Sequence, residues 1–274
     1  MGNETGASET SLDRTKRERR ETALITGASE GIGFELTKLF ARNGYNLVLV
    51  ARNEAKLNQI SENLTRTYGI SAKVVPKDLS KSAAPYEIYD ELKREGVRVN
   101  ILVNNAGYIV HGPFAENELT DELDMLQVLV GTPIVLTKLF LQDMLQGNGG
   151  KILNVGSVCS FHPGPLSAVY YAAKAFILSF SHAIAEELAD KNITVTALCP
   201  GVTRTQFYLR GNMENLFIAK YGAMSPEKVA EIGYKALMSH KRHVVPGLAN
   251  KFFVFVARIC SWSFRAKVMK VFVS

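Results

Sequence analysis

A chain of 274 residues, 47% hydrophobic and 21% charged, has the composition of a soluble globular protein, long enough to bury a core without disulfide or metal staples. Cys159, Cys199 and Cys260 form no CxxC pair and no metal-ligand spacing with the five histidines, which argues against a zinc module or disulfide scaffold and for a reducing, cytoplasmic compartment. The net charge of +6 is concentrated at one end: no acidic residue follows Glu231, whereas Lys235, Lys241, Arg242, Lys251, Arg258, Arg265, Lys267 and Lys270 do.

Residues 1–21, MGNETGASETSLDRTKRERRE, contain no apolar stretch of the secretory type and match a myristoylation pattern only in part, with Gly6 where Ser or Thr is wanted. They read as a disordered, solvated tail. Strand-length apolar runs then follow at TALIT (22–26), NLVLVA (46–51), SAKVVP (71–76), VNILVNN (99–105), KILNVGS (151–157), ITVTALC (193–199) and RHVVP (242–246), with helical segments between them. The runs are nearly all apolar rather than alternating, as in strands covered on both faces of a parallel sheet. Strand and helix in alternation predict a single α/β domain over 22–247, a doubly wound sheet of about seven strands. The insert at about 204–225 exceeds a simple crossover and is expected to act as a lid.

The turn TGASEGIG places Gly27, Gly31 and Gly33, with Ser29 and Ile32 between them, at the start of a helix. N–H groups at such a start face a pyrophosphate, and glycine lets the backbone approach it. The spacing is G-x-x-x-G-x-G, not G-x-G-x-x-G, so a chain reversal without a ligand is the competing reading. The second strand ends at Arg52. An acid there suits a ribose 2′-hydroxyl, an arginine a 2′-phosphate, which favours NADP(H) over NAD(H); Glu30 opposes that preference. Asp78 is placed either to accept from an adenine amine or to cap the LSKSAAP segment.

TGASEGIG, Asp78-Leu79, NNAG at 104–107, Ser157, Tyr170-x-x-x-Lys174 and PGVTRT at 200–205 together resemble the short-chain dehydrogenase/reductase family, in its order and over nearly the whole chain past residue 22. The resemblance implies a Rossmann-type fold and an NADP(H)-preferring oxidoreductase that interconverts a carbonyl and a secondary alcohol without a metal. It implies cofactor contacts at Gly27, Ser29, Gly31, Ile32, Gly33, Arg52, Asp78, Leu79, Asn105, Ala106, Gly107, Pro200, Gly201, Val202 and Thr203, with Thr205 at the margin. It implies catalysis by Ser157, Tyr170 and Lys174, with Lys174 also holding the nicotinamide ribose, and a homo-oligomer joined through helices that include 167–189.

The family motif selects Tyr170 over its neighbour Tyr171. Residues four apart share a helix face, whereas Tyr171 points about 100° away and reads as core or subunit-interface packing. A phenol titrates ordinarily near ~10; a neighbouring ammonium favours its ionised form, and a serine hydroxyl stabilises charge on the substrate oxygen.

One position departs from the family, which usually carries an asparagine in the helix after NNAG to anchor a water of the proton relay. Counting back from TKLFL puts Leu129 there; counting from Gly131 puts Val128. Gln127 is adjacent but about 100° round the helix. A nucleotide-binding regulator or membrane-surface protein with weak catalysis is therefore the alternative function, and the retained Ser157, Tyr170 and Lys174 argue against it.

Tyr108, His111, Phe114, Cys159, Phe161 and His162 follow strands four and five, and Phe207, Tyr208, Leu216 and Phe217 lie in the insert. Their mostly aromatic character suggests a hydrophobic small-molecule substrate; ordinary loop packing is the competing reading. Residues 248–274 place Lys251, Arg258 and Arg265 seven apart, with Phe252, Phe255, Val256, Ile259 and Trp262 near another face. This predicts one basic amphipathic helix. Packing on its own domain or on a second subunit is favoured over contact with an anionic membrane. Nucleic acid is not an expected partner.

Overall fold

The computed structural model describes residues 20–207 and 223–273. Most of the expected tail, and Tyr208, Leu216 and Phe217 of the expected lid, lie outside the described residues. Seven strands form one parallel sheet: β1 (Thr22–Thr26), β2 (Asn46–Ala51), β3 (Ala72–Pro76), β4 (Ile101–Asn104), β5 (Gly150–Val155), β6 (Ile193–Leu198) and β7 (His243–Val244), in the order β3-β2-β1-β4-β5-β6-β7. This is the doubly wound, Rossmann-type α/β architecture.

Two apolar clusters cover the two faces of the sheet. One joins Ile25, Leu49 and Val103 to Leu36 and Phe40 of α1 (Gly31–Arg42), Leu57 of α2 (Glu54–Tyr68) and Val229 of α7 (Pro226–Met238). The other joins Leu24, Val48 and Leu102 to Ile88 of α3 (Ala84–Arg94) and to Leu136 and Phe140 of α5 (Thr132–Gln146). Successive residues of β1 therefore point into opposite cores, and Ala23, Leu24 and Ile25 are all fully buried. Burying a Leu or Ile side chain is worth about 1.5–3 kcal/mol. Double coverage explains why these strands lack polar alternation.

The glycine turn is set by close packing. Gly27 has φ of 67° and Gly31 of 56°, a region that disfavours other residues. A Cβ on Gly33 would lie 2.1 Å from the Gly27 carbonyl oxygen. Gly33→Ala is expected to lower stability by about 1–3 kcal/mol through overpacking, read as a fall in thermal melting temperature. An unchanged melt would show that α1 can slide away from β1.

Between α4 (Leu119–Leu126) and α5 the chain makes a π turn, Gln127–Gly131. Two segments, Leu119–Gln146 and Ala168–Glu187, are long and apolar enough to cross a membrane. Both pack on the sheet: the first supplies Leu136 and Phe140, and the second, α6 (Ala168–Glu187), supplies Ile184 and Ala185 to the same core. They are core helices of the domain.

The C-terminal segment differs from the expected single helix. It forms α8 (Leu248–Ile259) and α9 (Trp262–Val273). Cys260 is extended, at φ −93° and ψ 145°, and the Ser261 hydroxyl accepts from the Phe264 N–H at 3.3 Å. A serine cap of this kind starts a new helix. The seven-residue spacing of Lys251, Arg258 and Arg265 is thereby broken. Arg265 turns inward, donating to the Phe161 carbonyl at 2.6 Å with its guanidinium 4.2 Å from the Trp262 ring centre.

Candidate active site

A cleft at the carboxyl ends of β1, β4, β5 and β6 is lined by Gly27, Gly31, Ile32, Asn105, Gly107, Ser157, Tyr170, Lys174, Pro200, Gly201 and Thr203. All of these are expected from the sequence. The cleft lies where β1 borders β4, the point at which strand order reverses; open α/β sheets bind ligands at such switch points.

Its nucleotide half is pinned to β1. The N–H groups of Asn105 and Ala106 both donate to the Thr26 hydroxyl, at 2.9 and 3.0 Å, and Asn105 Nδ2 donates to the Thr26 carbonyl at 2.9 Å. A Cβ on Gly27 would lie 2.8 Å from Asn105 Nδ2, so the glycine and asparagine define one closely fitted surface. The first turn of α1 begins at Gly31, and a helix start leaves N–H groups without intrahelical partners. A glycine cradle with a helix N-terminus fits a dinucleotide pyrophosphate.

Thr205, expected at the margin, lines it too, whereas the remaining expected contacts do not. Gly33 lies beneath the turn, and Ser29 opens onto a neighbouring groove with Lys38 and Lys56. Leu79 is buried, its carbonyl accepting from the Thr132 hydroxyl at 3.0 Å. Ala106 is held through its N–H, and the Val202 carbonyl accepts from the Met224 N–H at 2.9 Å. Arg52 is exposed. Asp78 Oδ1 accepts from the Ser80 N–H at 3.1 Å, the turn-closing role that competed with adenine recognition in the sequence. Partial burial raises the Asp78 pKa, but the Ser80 hydrogen bonds and the charges of Arg52 and Lys81 outweigh it and hold the carboxyl below its ordinary value.

The other half is built on β5 and α6. Ser157 lies two residues past the end of β5 and caps the short 3-10 turn Val158–Phe161, its hydroxyl oxygen accepting from the Cys159 N–H at 3.1 Å. Ser160 completes the turn and donates to the Lys174 carbonyl at 2.7 Å. Deeper, Asn104 donates to Thr137 at 3.1 Å and to Asn154 at 2.8 Å, and Asn154 donates to Ser181 at 2.9 Å. These buried amides tie β4 and β5 to α5 and α6. Breaking such a network leaves unsatisfied polar groups, so α6 is held firmly against β5.

Tyr170 and Lys174 are each only 6% exposed. Lys174 Nζ lies 5.7 Å from the Tyr170 ring centre and donates to the Val155 carbonyl at 2.8 Å. Burial pushes Lys174 down to about 8, which leaves most of it protonated at neutral pH. Tyr171 faces away from the cleft. Its ring packs edge-on to Tyr170 at 6.0 Å and so close to Gly164 that a Cβ there would sit 2.1 Å from it. Tyr171 is core.

The profile of the short chain dehydrogenase family matches residues 21–213. The chain belongs to the short-chain dehydrogenase/reductase family. It is 30% identical to the very-long-chain 3-oxoacyl-CoA reductase of Anas platyrhynchos over 82% of this chain and 72% of that protein. It is 35% identical to the 17-beta-hydroxysteroid dehydrogenase type 3 of Mus musculus over 67% of this chain and 60% of that protein, so it spans well under the full length of these relatives. Among solved structures it superposes on a short-chain dehydrogenase from Sphingobium yanoikuyae in complex with NADPH, with a TM-score of 0.78 and 29% identity over 87% of this chain and 93% of that one. Membership of this family makes the chain an oxidoreductase of the short-chain type.

Within this family member, the packing resolves the ambiguity over the missing asparagine. Val128 belongs to the sheet-facing core, whereas Leu129 packs in the cluster of Tyr170, Tyr171, Ile109 and Met125. Its Cδ2 would lie 2.7 Å from a Cβ on Gly107. Leu129 therefore occupies the site-facing position, with no polar group. Gln127 does not line the cleft; it turns along its own helix, with Nε2 3.4 Å from the Thr132 hydroxyl.

On the substrate side, Tyr108 and Phe207 line the cleft, and Phe207 lies 5.7 Å from the Tyr170 ring. Other expected residues are engaged elsewhere. Phe114 is 65% exposed, and His111 Nδ1 is 3.0 Å from the Ser167 hydroxyl. Cys159 packs beside Tyr171, and Phe161 packs against Val254 and Val245. His162 is buried and stacks on Phe253 of α8 at 4.0 Å. Burial and then the Arg265 charge push it down to about 4, so it is a neutral packing residue. The C-terminal helices cover this loop, which a reading of local sequence missed. Val155 and Gly156 also line the cleft; only their place at the end of β5 marked them.

Proposed function

We propose that the enzyme transfers a hydride between NADP(H) and the carbonyl or secondary alcohol of a hydrophobic small molecule, with Tyr170 as the proton donor and acceptor. The observation that carries this reading is the placement of Ser157, Tyr170 and Lys174 together in one cleft with the glycine cradle. When bound, the nicotinamide supplies the hydride. In reduction, Ser157 and Tyr170 hold the carbonyl oxygen by hydrogen bonds, and Tyr170 delivers its phenolic proton to that oxygen as charge develops there. The Lys174 ammonium stabilises the phenolate left behind. In oxidation the same phenolate takes the alcohol proton. Arg52 selects the 2′-phosphate of NADP(H).

The substrate class rests on the apolar wall of Phe207, Leu129 and Ile109 around Tyr170, and on relatives named for very-long-chain acyl thioesters and hydroxysteroids. Tyr108, pushed up to about 12 by burial and then by Asp124 and Asp121, stays a neutral donor at the cleft. A homo-oligomer is supported by α6, where Phe176 is 39% exposed and stacks on Phe180 at 5.7 Å. The test is NADPH consumption with steroid ketones, long-chain 3-oxoacyl thioesters and small polar ketoses. We expect kcat/KM at least about tenfold higher for the hydrophobic carbonyls, the scale of one or two buried methylenes. Equal or better use of the ketoses would overturn the hydrophobic assignment. NADPH binding without turnover on any of them would favour the regulator reading that Leu129 suggests.

A further inference from the structure

The C-terminal helices present an outer surface that no other segment covers among the described residues. On α8, Leu248, Phe252, Phe255 and Ile259 are 84%, 69%, 60% and 71% exposed. At 100° per residue they fall within an arc of about 60°. The opposite face carries Val254 and Ala257, both buried, so α8 is anchored by one side and bare on the other. Trp262, Phe264 and Val271 of α9 are also exposed, at 63%, 56% and 80%. An apolar patch of this extent on a soluble domain marks an interaction surface.

The charges around it are of one sign. Lys251 and Arg258 border one edge of the apolar arc, Lys267 and Lys270 lie on α9, and the chain has no carboxylate side chain after Glu231. A shallow cleft between β7 and α8 gathers Lys241, Lys251 and Arg258 beside Phe255. Among the described residues none of these three cations pairs with a carboxylate, whereas the nearby Arg242 pairs with Glu186. Exposed aromatics rimmed by cations suit the interface of an anionic bilayer, where rings enter the acyl boundary and cations meet headgroups. A second copy fits less well, because a two-fold contact would oppose like charges with no carboxylate between them.

We propose that α8 and α9 form a docking face for anionic lipid membranes, with Phe252, Phe255, Ile259 and Trp262 inserted at the interface and Lys241, Lys251, Arg258 and Lys267 on the headgroups. The same helices pack behind residues of the active site. Met269 packs in the cluster that contains Tyr170, and Asn250 lies so close to Gly201 that a Cβ there would sit 2.3 Å from its Oδ1. Docking thus brings the site to the phase in which a hydrophobic carbonyl dissolves. That consequence rests on the proposed substrate class; docking itself does not.

Trp262 is the only tryptophan and is 63% exposed, so the unmodified full-length protein carries its own probe. With vesicles of phosphatidylcholine containing roughly one part in three of phosphatidylserine, its emission is expected to shift to the blue and to be quenched by brominated acyl chains. The full-length protein is expected to float with these vesicles. Lys251→Gln/Arg258→Gln/Lys267→Gln is expected to weaken partitioning on the order of a hundredfold. Phe252→Ser/Phe255→Ser/Ile259→Ser is expected to abolish the flotation; all six residues are exposed, and NADPH binding is expected to persist. An unchanged Trp262 spectrum, or equal flotation on pure phosphatidylcholine, would overturn the proposal. So would a dimer in vesicle-free solution that the serine variant dissociates, which would assign the face to a second copy.

Discussion

Tyr170→Phe is expected to reduce carbonyl reduction by a factor on the order of 10²–10⁴, the usual contribution of a positioned acid, while Tyr171→Phe retains most of the activity. The two rings are neighbours in sequence and differ in where their helix faces point them. Tyr170 lines the cleft with Ser157 and Lys174; Tyr171 packs against Gly164 and beside Cys159. Losing the Tyr171 hydroxyl touches a ring that packs in the core beside Cys159, without consequence for proton transfer. Comparison of kcat for the two variants with a hydrophobic ketone decides the matter, and equal losses would remove the assignment. The same assay has a pH signature. Burial lowers Lys174 to about 8, so its ammonium is present below that pH and lost above it. Reduction is therefore expected to fall above about pH 8 in wild type, as the stabilising charge disappears. Lys174→Arg, whose guanidinium stays charged, is expected to lose rate but also to lose this alkaline limb.

Arg52→Asp is expected to weaken NADPH binding by about a hundredfold, the loss of charge-assisted hydrogen bonds to a phosphate, and to leave NADH binding nearly unchanged. Arg52 stands just past the end of β2, exposed, and its charge reaches Asp78 and Tyr108 across the mouth of the nucleotide half. Asp78 spends one oxygen on the Ser80 N–H. Glu30 lines the cleft from the glycine turn and opposes a phosphate, so cofactor choice depends on Arg52 outweighing it. The ratio of the two dissociation constants, measured by fluorescence titration, checks this. A ratio equal in wild type and variant would place the 2′-phosphate elsewhere.

The sheet was legible because parallel strands buried on both faces need apolar residues without polar alternation, and TALIT and NLVLVA are apolar through their middles without reference to anything distant. The glycine turn was legible for a similar reason. The approach of Gly33 to the Gly27 carbonyl is a local requirement only glycine meets, and it is met within seven residues. Tyr170 and Lys174 were picked out by the family's Tyr-x-x-x-Lys motif, and the pitch of a helix explains why the two share a face. The helical break at Cys260 was harder, because the seven-residue charge spacing is compatible with one continuous helix. Arg265 leaves that pattern for a carbonyl more than a hundred residues earlier, at Phe161.

The substrate loop shows the same division. Phe161 and His162 follow a strand end, which by position alone makes them pocket residues. Their partners, Val254 and Phe253, come from a helix that no local pattern connects to them. Leu129 and Val128 are equally apolar neighbours, and only the π turn between α4 and α5 decides which of them meets Tyr170. Local sequence by itself determined the strands, the nucleotide turn and the Tyr-Lys spacing, because each follows from backbone geometry over a few residues. Tertiary structure alone decided which aromatics reach the cleft, which face of α8 stays bare among the described residues, and that Leu129 rather than Val128 packs beside Tyr170, because those depend on contacts between segments far apart in the chain.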